Sequence, residues 1–262
     1  MPRTRLRARI SAVVLVVAAS ACGSDGAVGP NTPNTPNTPN TTLEQALGEL
    51  TLPVLAKAGS SISGLFPGGA QLGARCAYAA DSQSFVCPPA TASGLTIDQS
   101  FTLLTASGAK QSAFDHATTE SVRTNTEVAG NVSQDGATLT VDAEEELTLS
   151  GLVTGAHTIN GTGTAHIVGT LPEGSDLDIS VTRSVASLVI PAHSTSGAQV
   201  WPASGTIVVE TSASLTGFPS STSRLTLMFN GTSKVNVTVT EDGVTQTCQQ
   251  DLATLGQVPT CG

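Results

Sequence analysis

The sequence predicts a mainly β protein, a long antiparallel meander curled into a half-barrel, with one helical segment near the N-terminus. Three observations carry this prediction. Thr, Ser, Gly and Val are abundant in the chain, and only 3% of its residues are aromatic, a composition typical of strands and turns. Apolar residues alternate with polar ones from Gln71 onward, as in a sheet with one buried face. Asp-Gly dipeptides at 135–136 and 242–243 interrupt this alternation and favour tight hairpins.

The helical segment is predicted at about residues 43–64. Thr41 and Glu44 have the spacing of a capping box, in which two side chains satisfy the first free amides of a helix. Apolar residues then recur at helical intervals, at Leu43, Leu47 and Leu50. Pro53 should end or kink the helix. We expect this segment to cover the apolar, concave face of the sheet.

The two hairpins fix a register for the strands. A turn at Asp135-Gly136 places Val132 opposite Leu139 and Val122 opposite Leu149, so apolar residues meet on one face. A turn at Asp242-Gly243 places Cys248 opposite Val237 on the same kind of face. The strands approach about 16 residues, well above the usual five or six. Two charged residues, Glu145 and Arg183, share the parity of the apolar face.

The N-terminal residues have the pattern of a secretory signal, predicted at residues 1–21. Four arginines precede a short apolar stretch at residues 10–19. That stretch is too short to span a bilayer as a helix, which needs about 20 residues. The junction Ala19-Ser20-Ala21-Cys22 resembles the lipobox of bacterial lipoproteins, with Ala19 where Leu is commonest.

The lipobox resemblance implies that Cys22 receives a diacylglycerol, becomes the new N-terminus and anchors the protein in a lipid bilayer. Gly23 after the cysteine suggests delivery to the outer membrane of the cell envelope. The alternative is a freely secreted protein that begins at Cys22, because Ala19-x-Ala21 is also an ordinary signal-peptidase site.

A tether and a single β-rich domain are predicted to follow the signal. The tether spans residues 22–42 and contains a Pro-Asn-Thr repeat from Pro30 to Thr42. Proline at every third position favours an extended chain and leaves no apolar residue for a core. The domain is predicted to span residues 43–262.

The charge of the mature chain excludes some partners. Removing the predicted signal takes four of the 11 basic residues and none of the 20 acidic ones. The remaining charge is 7 minus 20, or −13. This argues against nucleic acid as a partner and against electrostatic adhesion to anionic lipid.

The chain contains five cysteines. If Cys22 is acylated, an even number remains for disulfides in an oxidising compartment. The predicted disulfides are Cys76–Cys87 and Cys248–Cys261, one of three possible connectivities. A turn at Asp81-Ser82 would place Cys76 opposite Cys87, and it would pair Tyr78 with Phe85 beside the bridge.

No motif predicts catalysis, and we expect a protein that is not an enzyme and needs no cofactor. Ser107 and Lys110 match the Ser-x-x-Lys pattern of penicillin-binding enzymes. They lie in a predicted turn without the other motifs of that family. The histidines are scattered, at His116, His157, His166 and His193.

Four carboxylates form a candidate metal site. In the register of the first hairpin, Asp142, Glu144 and Glu146 share the polar face of one strand, and Glu127 lies opposite Glu144. Like charges directly opposite are unfavourable, and Ca²⁺ could offset them by taking carboxylate oxygens as ligands. The alternative is a hydrated acidic face.

These features predict a lipid-anchored envelope protein whose domain is a non-enzymatic structural or surface-interaction module. The alternative is a carrier or binding protein for an apolar ligand, held in a groove under the N-terminal helix. The sequence does not identify the partner or ligand, or the oligomeric state.

Overall fold

A computed structural model describes residues 76–92, 94–134, 136–172, 174–191, 201–252 and 260–261. The chain divides into two compact units, Met1–Gly68 and Gly69–Gly262, and all described residues belong to the second. Cys22, the Pro-Asn-Thr tether and the predicted helix at residues 43–64 lie outside the described residues. Within those residues, no helix has the length and apolar character needed to cross a bilayer.

In the described residues, fourteen strands form one sheet. They are β1 (Ala77–Ala79), β2 (Ser84–Val86), β3 (Ala90–Ala92), β4 (Leu95–Thr105), β5 (Lys110–Gln111), β6 (Thr119–Gln134), β7 (Ala137–Ser150), β8 (His157–Thr170), β9 (Asp176–Ile190), β10 (Ser204–Leu215), β11 (Ser221–Phe229), β12 (Lys234–Glu241), β13 (Val244–Asp251) and β14 (Thr260–Cys261). The strands predicted to be unusually long are so, since β6 has 16 residues and β9 has 15.

The sheet is an open antiparallel meander, as predicted. Its order is β1-β2-β4-β6-β7-β8-β9-β10-β11-β12-β13-β14, and β3 and β5 pair with β4 at its margin. From β6 to β13 each strand pairs with the next one in the chain. Short connections between sequential strands account for this order.

The predicted hairpin registers are confirmed. Val132 lies opposite Leu139 and Val122 opposite Leu149, and Val237 lies opposite Cys248 in the second hairpin. The turn chemistry and the apolar alternation both specify this pairing. A shift by one residue would move the apolar side chains to the other face.

The two faces of the sheet differ in burial along most strands. One face, which we call the inner face, carries the apolar residues. Its most deeply buried side chains include Leu103, Val122, Val128, Val209, Leu225, Val235 and Val237. The opposite, outer face carries mainly exposed Thr, Ser, Asn and acidic residues. The sequence periodicity of two therefore corresponds to one packed face and one polar face.

A bulge interrupts the pairing between β8 and β9. Ile159 lies opposite Leu188, but Gly161 lies opposite Val185, so β9 contains one extra residue at this point. Ser187 takes a positive φ of 50° there, and its backbone N–H donates to Asn160 Oδ1 at 2.7 Å. This bulge lies beside Gly161 of β8, whereas both ladders run through Gly130 without a register shift.

A disulfide closes the hairpin at the first edge of the sheet. Cys76 and Cys87 are bonded, as predicted, and Tyr78 lies opposite Phe85 with ring centroids 5.3 Å apart. Phe85 also stacks on Phe101 of β4 at 4.7 Å, a contact that extends the predicted aromatic pair into the sheet. Covalent bonding and ring packing together hold this three-residue strand pair.

The second predicted disulfide involves the last strand. Cys248 is buried and disulfide-bonded, and its Cα lies opposite that of Cys261 in the β13–β14 pairing. This register suits the predicted bridge. The pairing Cys248–Cys261 itself stays a prediction, because the side chain of Cys261 lies outside the described part.

Candidate functional site

A buried ion pair lies in the middle of the inner face. Glu145 of β7, Gly163 of β8 and Arg183 of β9 lie directly opposite one another across three strands. Arg183 Nη2 pairs with Glu145 Oε1, and the two side chains are only 10% and 12% exposed. The two charged residues that strand alternation places on the apolar face, Glu145 and Arg183, therefore form an ion pair on that face.

Gly163 makes this contact possible. A Cβ placed there would lie 3.3 Å from Glu145 Oε1 and 3.5 Å from Glu145 Cβ. The Glu145 side chain therefore occupies the space above the glycine. Because no side chain stands between β7 and β9 at this position, the carboxylate crosses the intervening strand to reach the guanidinium.

Burial has a clear electrostatic effect on Arg183. Desolvation lowers the pKa of its guanidinium from its ordinary value to about 10, because a low-dielectric surrounding disfavours the charged form. A pKa of about 10 still leaves Arg183 protonated at neutral pH. Its Nε has no hydrogen-bond partner among the residues with a described structure, so within them the ion pair satisfies the guanidinium only in part.

Two buried hydroxyls lie on the inner face of the next two strands, β10 and β11. Thr211 of β10 is diagonal to Arg183, because Val209 lies opposite Arg183 and Thr211 follows two residues later on the same face. Ser223 of β11 lies directly opposite Thr211. Thr211 Oγ1 and Ser223 Oγ are buried and have no hydrogen-bond partner in the part of the chain that the structure describes. We call Glu145, Arg183, Thr211 and Ser223 the inner polar cluster.

On the β6 side of Glu145, the neighbouring polar side chain has a hydrogen-bond partner. Thr126 of β6 lies opposite Glu145 and is buried. Gln99 Nε2 donates to Thr126 Oγ1 at 3.4 Å. The unpaired polar atoms described above are therefore on the β9–β11 side of the ion pair.

The glycines of β8 do not leave open space next to β7. Strand alternation places Gly161, Gly163 and Gly169 on the inner face, where glycine can let a ligand or a helix approach closely. A Cβ at Gly161 would lie 2.7 Å from Leu147 Cδ2, and one at Gly169 would lie 2.8 Å from Leu139 Cδ2. The backbone carbonyls of Glu146 and Thr138 would overlap the added atoms as well. The backbone and the leucine side chains of β7 therefore close the positions of Gly161 and Gly169 together.

The four carboxylates of the candidate metal site, Glu127, Asp142, Glu144 and Glu146, lie on the outer face as predicted, and we call them the acidic stripe. Glu127 is opposite Glu144, and Arg123 Nε approaches Glu146 Oε1 to 4.0 Å. Asp98, which sequence reasoning missed, lies opposite Glu127 and extends the row to three acidic residues. Only the β4–β6 register reveals it, and no tight turn specifies that register in the sequence.

The structure does not assemble a metal site from the acidic stripe. In the described part of the chain, no three His, Cys, Asp or Glu side chains are grouped so that they could hold an ion. Calcium binding by Glu127, Asp142, Glu144 and Glu146 stays a prediction, and the present geometry does not add support to it.

The other residues singled out from the sequence are dispersed. Ser107 Oγ lies 3.0 Å from Thr105 Oγ1, whereas Lys110 Nζ donates to the carbonyl oxygen of Ser82. His166 Nε2 lies 3.0 Å from Asp178 Oδ1 on the exposed face. His193 and Cys22 lie outside the described residues.

The fold and this cluster define a class, a single-sheet antiparallel β protein with a buried ion pair on its packed face. Comparison with known proteins finds no matching family model, no similar curated protein and no similar solved structure.

Proposed function

We propose that the protein is a lipid-anchored protein of the cell envelope, with a domain that acts as a structural or surface-interaction module rather than an enzyme. The arginine-rich start, the Ala-Ser-Ala-Cys22 junction and the Pro-Asn-Thr spacer support the anchor. We place the protein in the outer membrane on the basis of Gly23.

The difference between the two faces of the sheet is the observation that carries the interaction role. The inner face is occupied by side chains of the sheet itself even where β8 carries glycine. The outer face presents exposed hydroxyls and a row formed by Asp98, Glu127 and Glu144. A partner would therefore meet a polar, acidic surface, in keeping with the strongly negative mature chain.

The anchor is tested by replacing Cys22 with Ser. We expect the wild-type protein to enter the detergent phase of a detergent phase separation, and the Cys22→Ser variant to move to the aqueous phase. Ser24→Ala is the matched control, two residues away, and should stay with the detergent. Wild-type protein found in the aqueous phase would show that Cys22 carries no lipid.

A second candidate function is a carrier for an apolar ligand. The observation that favours it is the inner polar cluster, since Arg183 Nε and two hydroxyls are buried without partners among the described residues. Binding pockets are mostly apolar and use a few polar groups to orient the ligand. Mass spectrometry of lipids that co-purify with the protein distinguishes the two functions, because a purely structural module retains none.

A further inference from the structure

We propose that the outward edge of β13 binds an extended segment of a partner protein, which adds to the sheet as one further antiparallel strand. The segment that fits is uncharged where it pairs and carries basic residues on either side of the paired stretch. This inference goes beyond the role proposed for the outer face, because it concerns the edge of the sheet. It does not depend on the lipid anchor.

The two edges of the sheet differ in how far they are covered. On the first side, β2, β3 and β5 all pair with β4, and a disulfide between Cys76 and Cys87 closes the β1–β2 hairpin. On the other side, β14 pairs with β13 at Cys248 and Gln249. Among the described residues, the stretch Val244–Thr247 therefore has β12 on one side and no strand on the other. We call this stretch the β13 edge.

A hydrogen bond at the β12–β13 turn shows which backbone groups of β13 face β12. Asp242 N–H donates to the carbonyl oxygen of Thr222 at 3.0 Å, so the even-numbered residues of this strand direct their backbone groups to β11. Its odd-numbered residues, which include Glu241, then direct theirs to β13. Because Glu241 lies opposite Val244, the even-numbered residues of β13 form the hydrogen bonds to β12.

The odd-numbered residues of β13 consequently direct their backbone N–H and C=O groups away from the sheet. The bond from Leu252 N–H to the carbonyl oxygen of Ser233, at 2.7 Å, continues the even-numbered series. Gln249 belongs to the outward series, and β14 pairs with it. Thr245 and Thr247 belong to the same series and lie on the β13 edge, where the described structure contains no strand to pair with them.

The β13 edge is accessible and lacks the usual protection of an edge strand. Val244 is 65% exposed, and Thr245, Gln246 and Thr247 are exposed as well. Edge strands are commonly protected by charged residues, proline or a bulge. The β13 edge contains no charged residue and no proline, and its ladder with β12 runs without a register shift. It is therefore a template for another strand.

The conformation of the partner follows from the spacing of the outward groups. Hydrogen-bonding groups on every second residue of a strand are satisfied together by an extended chain, as in strand addition to an exposed edge. A helix satisfies its backbone groups internally and offers none to the edge. Every neighbouring pair in this sheet is antiparallel, β13–β14 included, and antiparallel pairing is slightly more stable per residue.

The charge of the partner follows from the acidic residues around the edge. Glu241 and Asp242 precede β13, Asp251 ends it, and the mature chain is strongly negative. Basic residues beside the paired stretch therefore favour binding, and acidic ones oppose it. A second copy of this chain would bring its own acidic residues to the same place, so a basic partner fits better than self-association.

A synthetic peptide tests the proposal with the full chain carrying Cys22→Ser. The probe is Lys-Thr-Val-Thr-Val-Thr-Lys, blocked at both ends and fluorescently labelled. We expect it to bind in an anisotropy titration, and the same peptide flanked by Glu to bind more weakly. A third peptide with methylated backbone nitrogens keeps the charges of the probe but cannot form a ladder, and it should not bind.

Amide hydrogen exchange locates the bound peptide. In the protein alone, the amides of Thr245 and Thr247 should exchange faster than that of Gln246, which bonds to β12. At a peptide concentration ten times the dissociation constant, exchange at Thr245 and Thr247 should slow by about tenfold, since exchange then requires the peptide to leave. The rate at Gln246 should change much less.

The variant Thr245→Pro/Thr247→Pro removes two outward N–H groups and leaves the bonds to β12 in place. Proline is tolerated on edge strands, and loss of two hydrogen bonds should weaken binding of the probe by about tenfold or more. The matched control, Thr245→Val/Thr247→Val, keeps both N–H groups and the branched side chains, and it should bind like the wild type.

Several results would overturn the proposal. The probe does not bind, or it binds without slowing exchange at Thr245 and Thr247. The methylated peptide binds equally well, which would mean that charge alone attracts it. A proline variant with a normal melting curve binds like the wild type. Sedimentation shows a dimer in which both threonine amides are already protected, so that the edge joins two copies. Fractionation of the Cys22→Ser variant tests the anchor separately.

Discussion

Strands β7 and β8 are neighbours of equal length, 14 residues each, but they contribute to the inner face in opposite ways. On β7 most inner positions are buried leucine, valine or alanine, whereas Ile167 is the buried residue of β8. Glycine occupies three inner positions of β8, and β7 side chains lie over all three. A strand can thus form part of a packed face when its glycines leave room for the atoms of the neighbouring strand.

This difference also explains where the ion pair lies. Glycine inside a strand weakens it, because the unfolded chain has more freedom and no side chain packs. At Gly161 and Gly169 the leucines of β7 fill the space, and burial of their apolar surface offsets that cost. At Gly163 the covering residue is Glu145 instead. The carboxylate needs a cation to be tolerated there, and Arg183 of β9 provides it.

The largest effect should come from removing one charge of this pair. We expect Arg183→Met to lower the free energy of unfolding by about 3–5 kcal/mol, because it leaves Glu145 buried without a partner. Adding Glu145→Met to it should recover most of the loss. Urea denaturation of both variants measures the two values.

Arg224→Met is the control for this experiment. Arg224 Nη1 and Glu210 Oε1 lie 2.7 Å apart, but both side chains are more than half exposed, at 57% and 51%. Exposed pairs contribute at most about 1 kcal/mol. If Arg183→Met costs no more than Arg224→Met, the inner pair is solvated and the contrast between the two faces fails.

A second prediction compares two glycines of β8. A Cβ at Gly169 would overlap the carbonyl oxygen of Thr138 and lie 2.8 Å from the Cα of Leu139, whereas one at Gly163 meets nothing closer than 3.2 Å. We expect Gly169→Ala to lower the free energy of unfolding by about 1–3 kcal/mol through overpacking. Gly163→Ala, the matched change, should cost clearly less, because its Cβ would lie 3.3 Å from Glu145 Oε1 and a small shift of the carboxylate keeps the contact with Arg183. Equal losses in thermal or urea melts would mean that β7 does not pack tightly over β8.

The sequence predicts some registers of this sheet and not others, for a physical reason. The pairs Val132–Leu139 and Val237–Cys248 follow from Asp-Gly turns and apolar alternation that agree. Tyr78–Phe85 follows in the same way from a short turn. The β4–β6 pairing has no such turn, because residues 106–118 separate these strands and include β5. Asp98 was therefore missing from the predicted acidic row.

The content of the candidate site was harder to predict than its location. The alternation of residues along each strand places Glu145 and Arg183 on the apolar face. It does not say which side chains contact each other when a third strand lies between them. That depends on the absent side chain at Gly163 and on side chains that lean between strands. The bulge at Ser187 is similar, since its positive φ is stabilised by Asn160 of a neighbouring strand and leaves no local pattern.

The smallest effect is expected on the outer face, where the same β7 strand carries Glu144. Glu127 has an acidic residue directly opposite on each side, Asp98 and Glu144. We expect Glu127→Gln to raise the free energy of unfolding by less than about 1 kcal/mol, because it removes two repulsive cross-strand contacts. Gln keeps the Oε1 acceptor that Asn125 Nδ2 uses at 3.2 Å. Since these charges are exposed, the gain should shrink as salt screens them.

Glu210→Gln gives the opposite sign and serves as the control, because Glu210 has Arg224 as a partner rather than another acid. Thermal melts with and without millimolar Ca²⁺ then test the predicted metal site. If the acidic stripe binds calcium, Ca²⁺ raises the melting temperature of the wild type, since a ligand that binds only the folded state stabilises it. It should have little effect on Glu127→Gln, which lacks one charged ligand. Melts that Ca²⁺ leaves unchanged in both proteins would make the stripe a hydrated acidic face, whose repulsion the sheet tolerates because water screens it.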